Sequence, residues 1–243
     1  MSRTYTGRSG ERVRALAELS LRAADGEVLA VVGPSGCGKT TLLELICGLQ
    51  APESGTVACE PAALMPQRDL LAPWLDALDN AALALRIAGA PRAQARERAA
   101  RLFARLGLDG FERARPDELS GGMRQRVAFA RTLLSGKRLL CLDEPLSALD
   151  AITRAEMQDW LAAVLERDRS GLGERTVVLV THDVEEAIVL ADRVAVLSPR
   201  PARVLAEVRV DIPTPRTRTH VDVVALRERV LDALAQGARG AMP

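Results

Sequence analysis

The chain has 243 residues, enough for one large domain, or a domain with an inserted subdomain, and for a full hydrophobic core. Its 33 basic residues nearly balance its 32 acidic ones, leaving a formal charge of +1 and no electrostatic footprint for nucleic acid. No stretch approaches the roughly 18 apolar residues of a membrane span, and Met1 to Arg14 lack a signal peptide's apolar core, so a cytoplasmic protein that docks on a membrane partner is compatible with the sequence.

Taken in chain order, Ala15 to Leu21 alternates weakly and predicts an antiparallel strand with one solvated face. Glu27 to Val32 is a buried strand and Thr40 to Leu49 the helix after it. Ala62 to Pro66 predicts another strand. From Pro73 to Leu134 the strand signal gives way to helical periodicity, which points to a helical subdomain inserted into an α/β core. The arginines between Arg86 and Arg115 are interleaved with Ala, Glu and Leu at helical spacing, the pattern of a solvated helix face. Strands return at Arg138 to Leu142, Thr176 to Thr181 and Asp192 to Ser198, with a helical run from Asp183 to Ala191 among them. Arg203 to Val210 resembles Ala15 to Leu21 in its alternation. Ile212-Pro213-Thr214-Pro215 then breaks the chain before a last helix over Val221 to Gln236. The expected division is residues 1–72 and 135–210 as core, 73–134 as helical subdomain and 211–243 as a short tail.

Cys37, Cys47, Cys59 and Cys141 have no metal-ligand spacing and are expected to be reduced packing residues. Lysine occurs only at Lys39 and Lys137, among many arginines. Retaining Lys39 in a Gly-rich loop points to a site that needs a compact ammonium on a slim stem.

That loop, Gly33-Pro34-Ser35-Gly36-Cys37-Gly38-Lys39-Thr40, lies between a predicted strand and a predicted helix. Its glycines allow backbone amides close to phosphates, and the helix terminus adds positive partial charge. Lys39 then reaches the terminal phosphates, and the Thr40 hydroxyl ligates magnesium. The strand ending at Asp143 delivers two adjacent carboxylates to the same edge, Asp143 for magnesium and Glu144 for polarising an attacking water. His182 ends another strand and suits contact with a γ-phosphate. Gln67 ends a third, suited to magnesium or the attacking water. The segment after it, with Leu70, Leu71, Trp74 and Leu75, offers a partner groove. Leu119-Ser120-Gly121-Gly122-Met123 opens a helix with Ser120 as N-cap, a second anion site in a different subdomain. One chain does not bring both anion sites onto one phosphate. A second copy does.

From about Tyr5 to Arg203 the sequence resembles ATPase subunits of ABC transporters. It carries a Walker A loop at Gly33 to Thr40, Q-loop Gln67, signature Leu119 to Met123, a Walker B strand ending at Asp143 and catalytic Glu144. The D-loop Ser147-Ala148-Leu149-Asp150 and H-loop His182 complete the set. The resemblance implies an α/β P-loop NTPase (RecA-like) core with an antiparallel β-subdomain and an inserted α-helical signature subdomain. It also implies a homodimer that sandwiches two ATP molecules with Mg2+. Each nucleotide would lie between one chain's Gly33 to Thr40, with Thr41, and the other's Ser120, Gly121, Gly122 and Asp150. Tyr5 is the expected adenine-stacking residue, and aromatic stacking on a base is worth about 1 to 3 kcal/mol. Family members begin with a complete strand before that aromatic, so either the first strand is curtailed or the start lies upstream. Cys37 is expected to be a small filler in the phosphate loop.

Leu197-Ser198-Pro199-Arg200-Pro201, Asp150-Ala151-Ile152-Thr153-Arg154 and the short tail are similar to subunits of nitrate, sulfonate and taurine importers, a group that includes uptake systems for thiamine-precursor pyrimidines. This implies permease subunits, a periplasmic or lipoprotein solute-binding protein, no nucleic acid, and a place on the cytoplasmic side of the membrane. An exporter subunit and a soluble ABC ATPase are the alternatives.

Overall fold

In the computed structural model, which describes residues 1–7, 10–147, 149–171 and 175–240, eight strands are formed. They are β1 (Arg3–Thr6), β2 (Arg12–Leu16), β3 (Val28–Val32), β4 (Ala62–Met65), β5 (Leu139–Asp143), β6 (Thr176–Thr181), β7 (Arg193–Leu197) and β8 (Val204–Arg209). Six make one sheet in the order β4-β5-β6-β3-β7-β8, parallel except for β8, which runs antiparallel to β7. The buried residues of β3 divide between two cores, Val28, Ala30 and Val32 in one and Leu29 and Val31 in the other. This two-residue period, apolar on both sides, is what a strand covered on both faces requires. β8, at the edge, alternates exposed and covered residues, with one solvated face as expected.

β1 and β2 form a separate antiparallel pair, with Tyr5 opposite Val13. The strand predicted at Ala15 to Leu21 is displaced toward the amino terminus and shares only Ala15 and Leu16 with β2. Arg12-Val13-Arg14 carries the same polar-apolar alternation and finds its partner in β1. Glu18, at φ 51°, is left-handed and ends the extended run. No glycine marks that turn.

Helix α1 (Lys39–Ile46) packs Leu42, Leu43 and Leu45 into the second core. Between β4 and β5 lie α2 (Ala77–Ile87), α3 (Arg92–Leu106), a short 3-10 turn at Pro116–Glu118 and α4 (Gly121–Leu133), the three α-helices packed into the first core. Asp76 caps α2 by accepting from the Asp79 amide at 2.7 Å, and Gly107 ends α3 in the left-handed conformation. α3 buries Ala95, Ala99, Leu102, Phe103 and Leu106, a helical stripe. Most of its arginines lie outside that stripe, but Arg92 and Arg96 pair with the buried carboxylate of Asp79. Phe129 of α4 meets Trp160 of α5 (Ala151–Gly171) edge to face, with ring centroids 5.4 Å apart.

α6 (Val184–Leu190) follows β6, and α7 (Val221–Gly240) packs over α6 and β8. Ahead of α7, Arg216 donates to the carbonyls of Ile188, Ala191, Val210 and Ile212, tying the tail to the end of α6. Among the described residues no helix is long and apolar enough to cross a membrane. Cys37 and Cys141 are buried and Cys47 half-buried. Cys59 is exposed, contrary to the packing role expected of it, because residues 55–61 run as irregular chain over the surface.

Candidate active site

Four neighbouring parallel strands, β4, β5, β6 and β3, end at one edge of the sheet, where ligands of open α/β sheets bind. Past those ends come Gln67, Asp143 with Glu144, His182, and the loop from Gly33 to Lys39. The predicted groups from these four strands therefore share one place. Gly38 sits at φ 123°, and a Cβ there would lie 2.9 Å from Leu16 Cδ2 and 3.0 Å from the Ala15 carbonyl, so glycine is required. Gly33 packs as tightly, 3.0 Å from Cys37 Sγ, and Gly36 is left-handed at φ 73°. Cys37 is thus a buried filler that wedges the loop, and burial raises its thiol pKa. Pro34 accepts from the Cys37 amide at 3.2 Å, and Ser35 stands exposed at the tip between them. α1 has no side-chain cap and no acidic residue in its first turn, which leaves its amino end electropositive.

Lys39 is buried, and its Nζ donates to the carbonyls of Gly33 at 2.8 Å and Pro34 at 3.1 Å. It lies 4.0 Å from Glu144 Oε1. Thr40 donates to Asp143 Oδ2 at 2.9 Å. Burial pushes the Asp143 carboxyl above its ordinary range, with Glu144 and Glu44 adding repulsion, while Thr40 and Lys39 oppose the rise. Glu144 is left-handed at φ 45°, an uncommon conformation for a non-glycine residue, and its amide donates to Val180 at 2.8 Å. This turn separates the two carboxylates. Asp143 meets α1, whereas Glu144 Oε2 accepts from Gln67 Nε2 at 3.1 Å and lies 3.2 Å from His182 Nδ1. Ser147 closes the turn, donating through Oγ to the Glu144 carbonyl at 3.0 Å.

Tyr5 lies beside α1. Its hydroxyl donates to Gln50 Oε1 at 3.0 Å and shares a hydrogen bond with the Thr41 hydroxyl at 3.2 Å, and the Arg3 guanidinium sits 5.2 Å from its ring centroid. Thr41 is therefore engaged with Tyr5. The predicted second anion site belongs to other surroundings. Ser120 Oγ accepts from the Met123 amide at 3.2 Å, capping α4. A Cβ on Gly121 would lie 3.5 Å from Leu149 Cδ2, and one on Gly122 3.0 Å from Thr153 Cγ2. The opening of α4 thus packs on α5 and the loop before it, while the phosphate-type loop packs on β2 and β7. Asp150 caps α5, its Oδ1 accepting from the Ile152 and Thr153 amides at 3.1 Å; hydrogen bonding by the Thr153 side chain, and then by these amides, lowers its pKa. Ala148 of the predicted D-loop lies outside the described residues.

Sequence reasoning missed the residues that hold residues 68–76. Asn80, buried on α2, accepts from the Ala72 amide at 2.7 Å and donates to the carbonyls of Ala72, Leu75 and Asp76. From α4, Arg124 pairs with Asp69 at 3.1 Å, and Arg131 donates to the carbonyls of Asp69 and Leu70. A polar residue on the apolar stripe of α2 was the available signal for Asn80. The arginines carried none.

The family model described as ABC transporter matches residues 16–147, more than half of the chain. The formylaminopyrimidine import ATP-binding protein of Halalkalibacterium halodurans is 44% identical over 195 residues, covering 79% of this chain and 76% of its own. The aliphatic sulfonates import ATP-binding protein of Burkholderia lata is 43% identical over 230 residues, covering 91% and 81%. A dimeric ATP-binding cassette in a post-hydrolysis state with ADP and Pi superposes with a TM-score of 0.73 at 29% identity, over 87% of this chain and 97% of that one. With its carboxyl-edge constellation and these similarities, the chain belongs to the ABC transporter family.

Proposed function

We propose that this chain binds ATP with magnesium and hydrolyses it as the energising subunit of a bacterial importer. The observation that supports this most is the convergence of Lys39, Gln67 and His182 on Glu144, at the edge where the uncapped α1 also begins. In this reading the amides from Gly33 to Thr40 and the Lys39 ammonium bind the phosphates, and Tyr5 supports the adenine. The chain is one ABC ATPase domain, with residues 1–72 and 135–210 as core, 73–134 as signature subdomain and 211–243 as tail.

The oxygens of Asp143, Thr40 and Gln67 suit magnesium, which favours one or two carboxylates together with phosphate oxygens and water. Asp143 fits this role because burial and two acidic neighbours disfavour its charge on balance, which a cation would offset. Among the described residues no cluster of three His, Cys, Asp or Glu offers a cage for a softer metal. When bound, the ion neutralises charge on the phosphoryl oxygens. Glu144 takes the proton of the attacking water, with Gln67 and His182 holding its Oε2 in place. Ser120, Gly121, Gly122 and Asp150 act on the ATP held by a second copy, in a homodimer like those of the dimeric cassettes it resembles.

Relatives named for import of formylaminopyrimidine, aliphatic sulfonates and taurine support import of a sulfonate, taurine or a related small solute, while nitrate rests on the sequence resemblance. Permease subunits would hold the dimer at the cytoplasmic face of the membrane, and a periplasmic or lipoprotein solute-binding protein would deliver the solute. Glu144→Gln tests the chemistry: phosphate release should fall by about 100-fold or more while ATP still binds. Turnover at the parent rate would overturn the assignment of Glu144 as base.

A further inference from the structure

Glu186, in the first turn of α6, is 3% exposed and has no part in the chemistry assigned above. Thr181 Oγ1 donates to its Oε2 at 2.6 Å, while its Oε1 is buried without a hydrogen-bond partner. A buried carboxylate with an unmet oxygen is costly when ionised unless a cation answers it. The cation whose charge favours ionised Glu186 is Arg154, on α5. Its own Nε is buried without an acceptor. Its Nη2 donates to the Leu149 carbonyl at 2.8 Å and reaches that of Ser147 at 3.5 Å. Arg154 therefore grips the carbonyls of Ser147 and Leu149 with one nitrogen and has another unused.

Each end of this pair adjoins a part of the proposed site. Thr181 immediately precedes His182. Ser147 bonds the Glu144 carbonyl and accepts from Gln67 Nε2 at 3.4 Å, and Leu149 packs against Gly121. Asp183 and Glu144 are the acidic groups that repel Glu186, though burial is the larger cause of a carboxyl pushed up to about 7.

We propose that Glu186 and Arg154 are positioning residues that join by a charge-assisted hydrogen bond in the ATP-closed dimer, fixing Ser147 and Leu149 relative to His182 and to the start of α4. One bond satisfies both unmet atoms. It links a chain's own half-site to the signature turn that it presents to its partner. This rests on the reading of Glu144 and His182 as the hydrolytic site.

A double-mutant cycle with Glu186→Gln and Arg154→Met, read as ATP turnover and ATP affinity, tests it. Each single change should lower kcat by about tenfold with affinity within about threefold, and the double variant should turn over no slower than the slower single. Losses that multiply, or singles at the parent rate, overturn the pair. If Arg154→Met does not fold, Arg154→Lys keeps the charge without the forked donor. An intermediate loss is expected of it, and the parent rate would overturn the proposal. Glu144→Gln, run alongside, separates the two readings: turnover surviving there overturns the hydrolytic site, whereas multiplying losses in the cycle overturn the positioning pair alone.

Discussion

At the scale of single residues, the site is built by backbone conformations that free side chains to diverge. The left-handed turn at Glu144 separates it from Asp143, so two adjacent carboxylates serve different partners, α1 and the Gln67–His182 pair. The adjacency of the carboxylates was legible in the sequence. Glu186 was not, because nothing in Asp183-Val184-Glu185-Glu186 says which glutamate is buried. Its carboxyl is raised to about 7, chiefly by burial, so the folded chain holds a proton that the unfolded chain releases. The sign follows: stability from this group is full below an ordinary carboxyl pKa of about 4.5 and is lost as pH rises through about 7. Glu186→Gln cannot ionise. In urea titrations it should exceed the parent's stability by roughly 1 to 3 kcal/mol near pH 8 and by little near pH 5. An advantage that shrank as pH rose would contradict this account. Greater stability with slower turnover is the trade expected of a functional buried charge.

Among the elements, the sheet was the most legible part. Short apolar runs fixed by burial on both faces gave strand limits within a residue or two, and Thr176–Thr181 coincides with its prediction. β2 was missed because its register is set by β1 and its end by a left-handed glutamate, neither of which has a local signal. Helical periodicity located the layer between β4 and β5 as a block, but not the way it is fastened. Phe129 fastens α4 to α5 through Trp160 and is nearly fully buried. Phe129→Ala should cost about 3 to 5 kcal/mol, read from chemical denaturation. A loss below about 1 kcal/mol would show that the layer repacks freely. Asn80, Arg124 and Arg131 hold residues 68–76 between α2 and α4, so a change at Gln67 has a short path to the surface of that layer.

On the scale of the whole molecule, exposed apolar residues are scattered over several elements, and three of them lie on or beside that layer. Leu70, Trp74 and Ile87 are 60%, 74% and 79% exposed, a surface suited to the permease contact proposed above. Trp74→Ala should leave the ATPase rate of the isolated chain within about twofold while sharply reducing recovery of membrane subunits in mild detergent. Undiminished co-purification would move the contact elsewhere. The division of the ATP groups has a larger consequence. Gly33 to Thr40, Gln67, Asp143, Glu144 and His182 gather at one edge, whereas Ser120 caps a helix packed on α5. In the proposed reading each chain then carries halves of two sites, and ATP joins two chains. The most direct measurement is sedimentation of the Glu144→Gln chain with ATP, with and without Ser120→Arg. A dimer is expected for Glu144→Gln, and a monomer that still binds ATP when Ser120→Arg is added. A dimer that persists with Ser120→Arg, or a Glu144→Gln chain that stays monomeric at saturating ATP, would contradict the account.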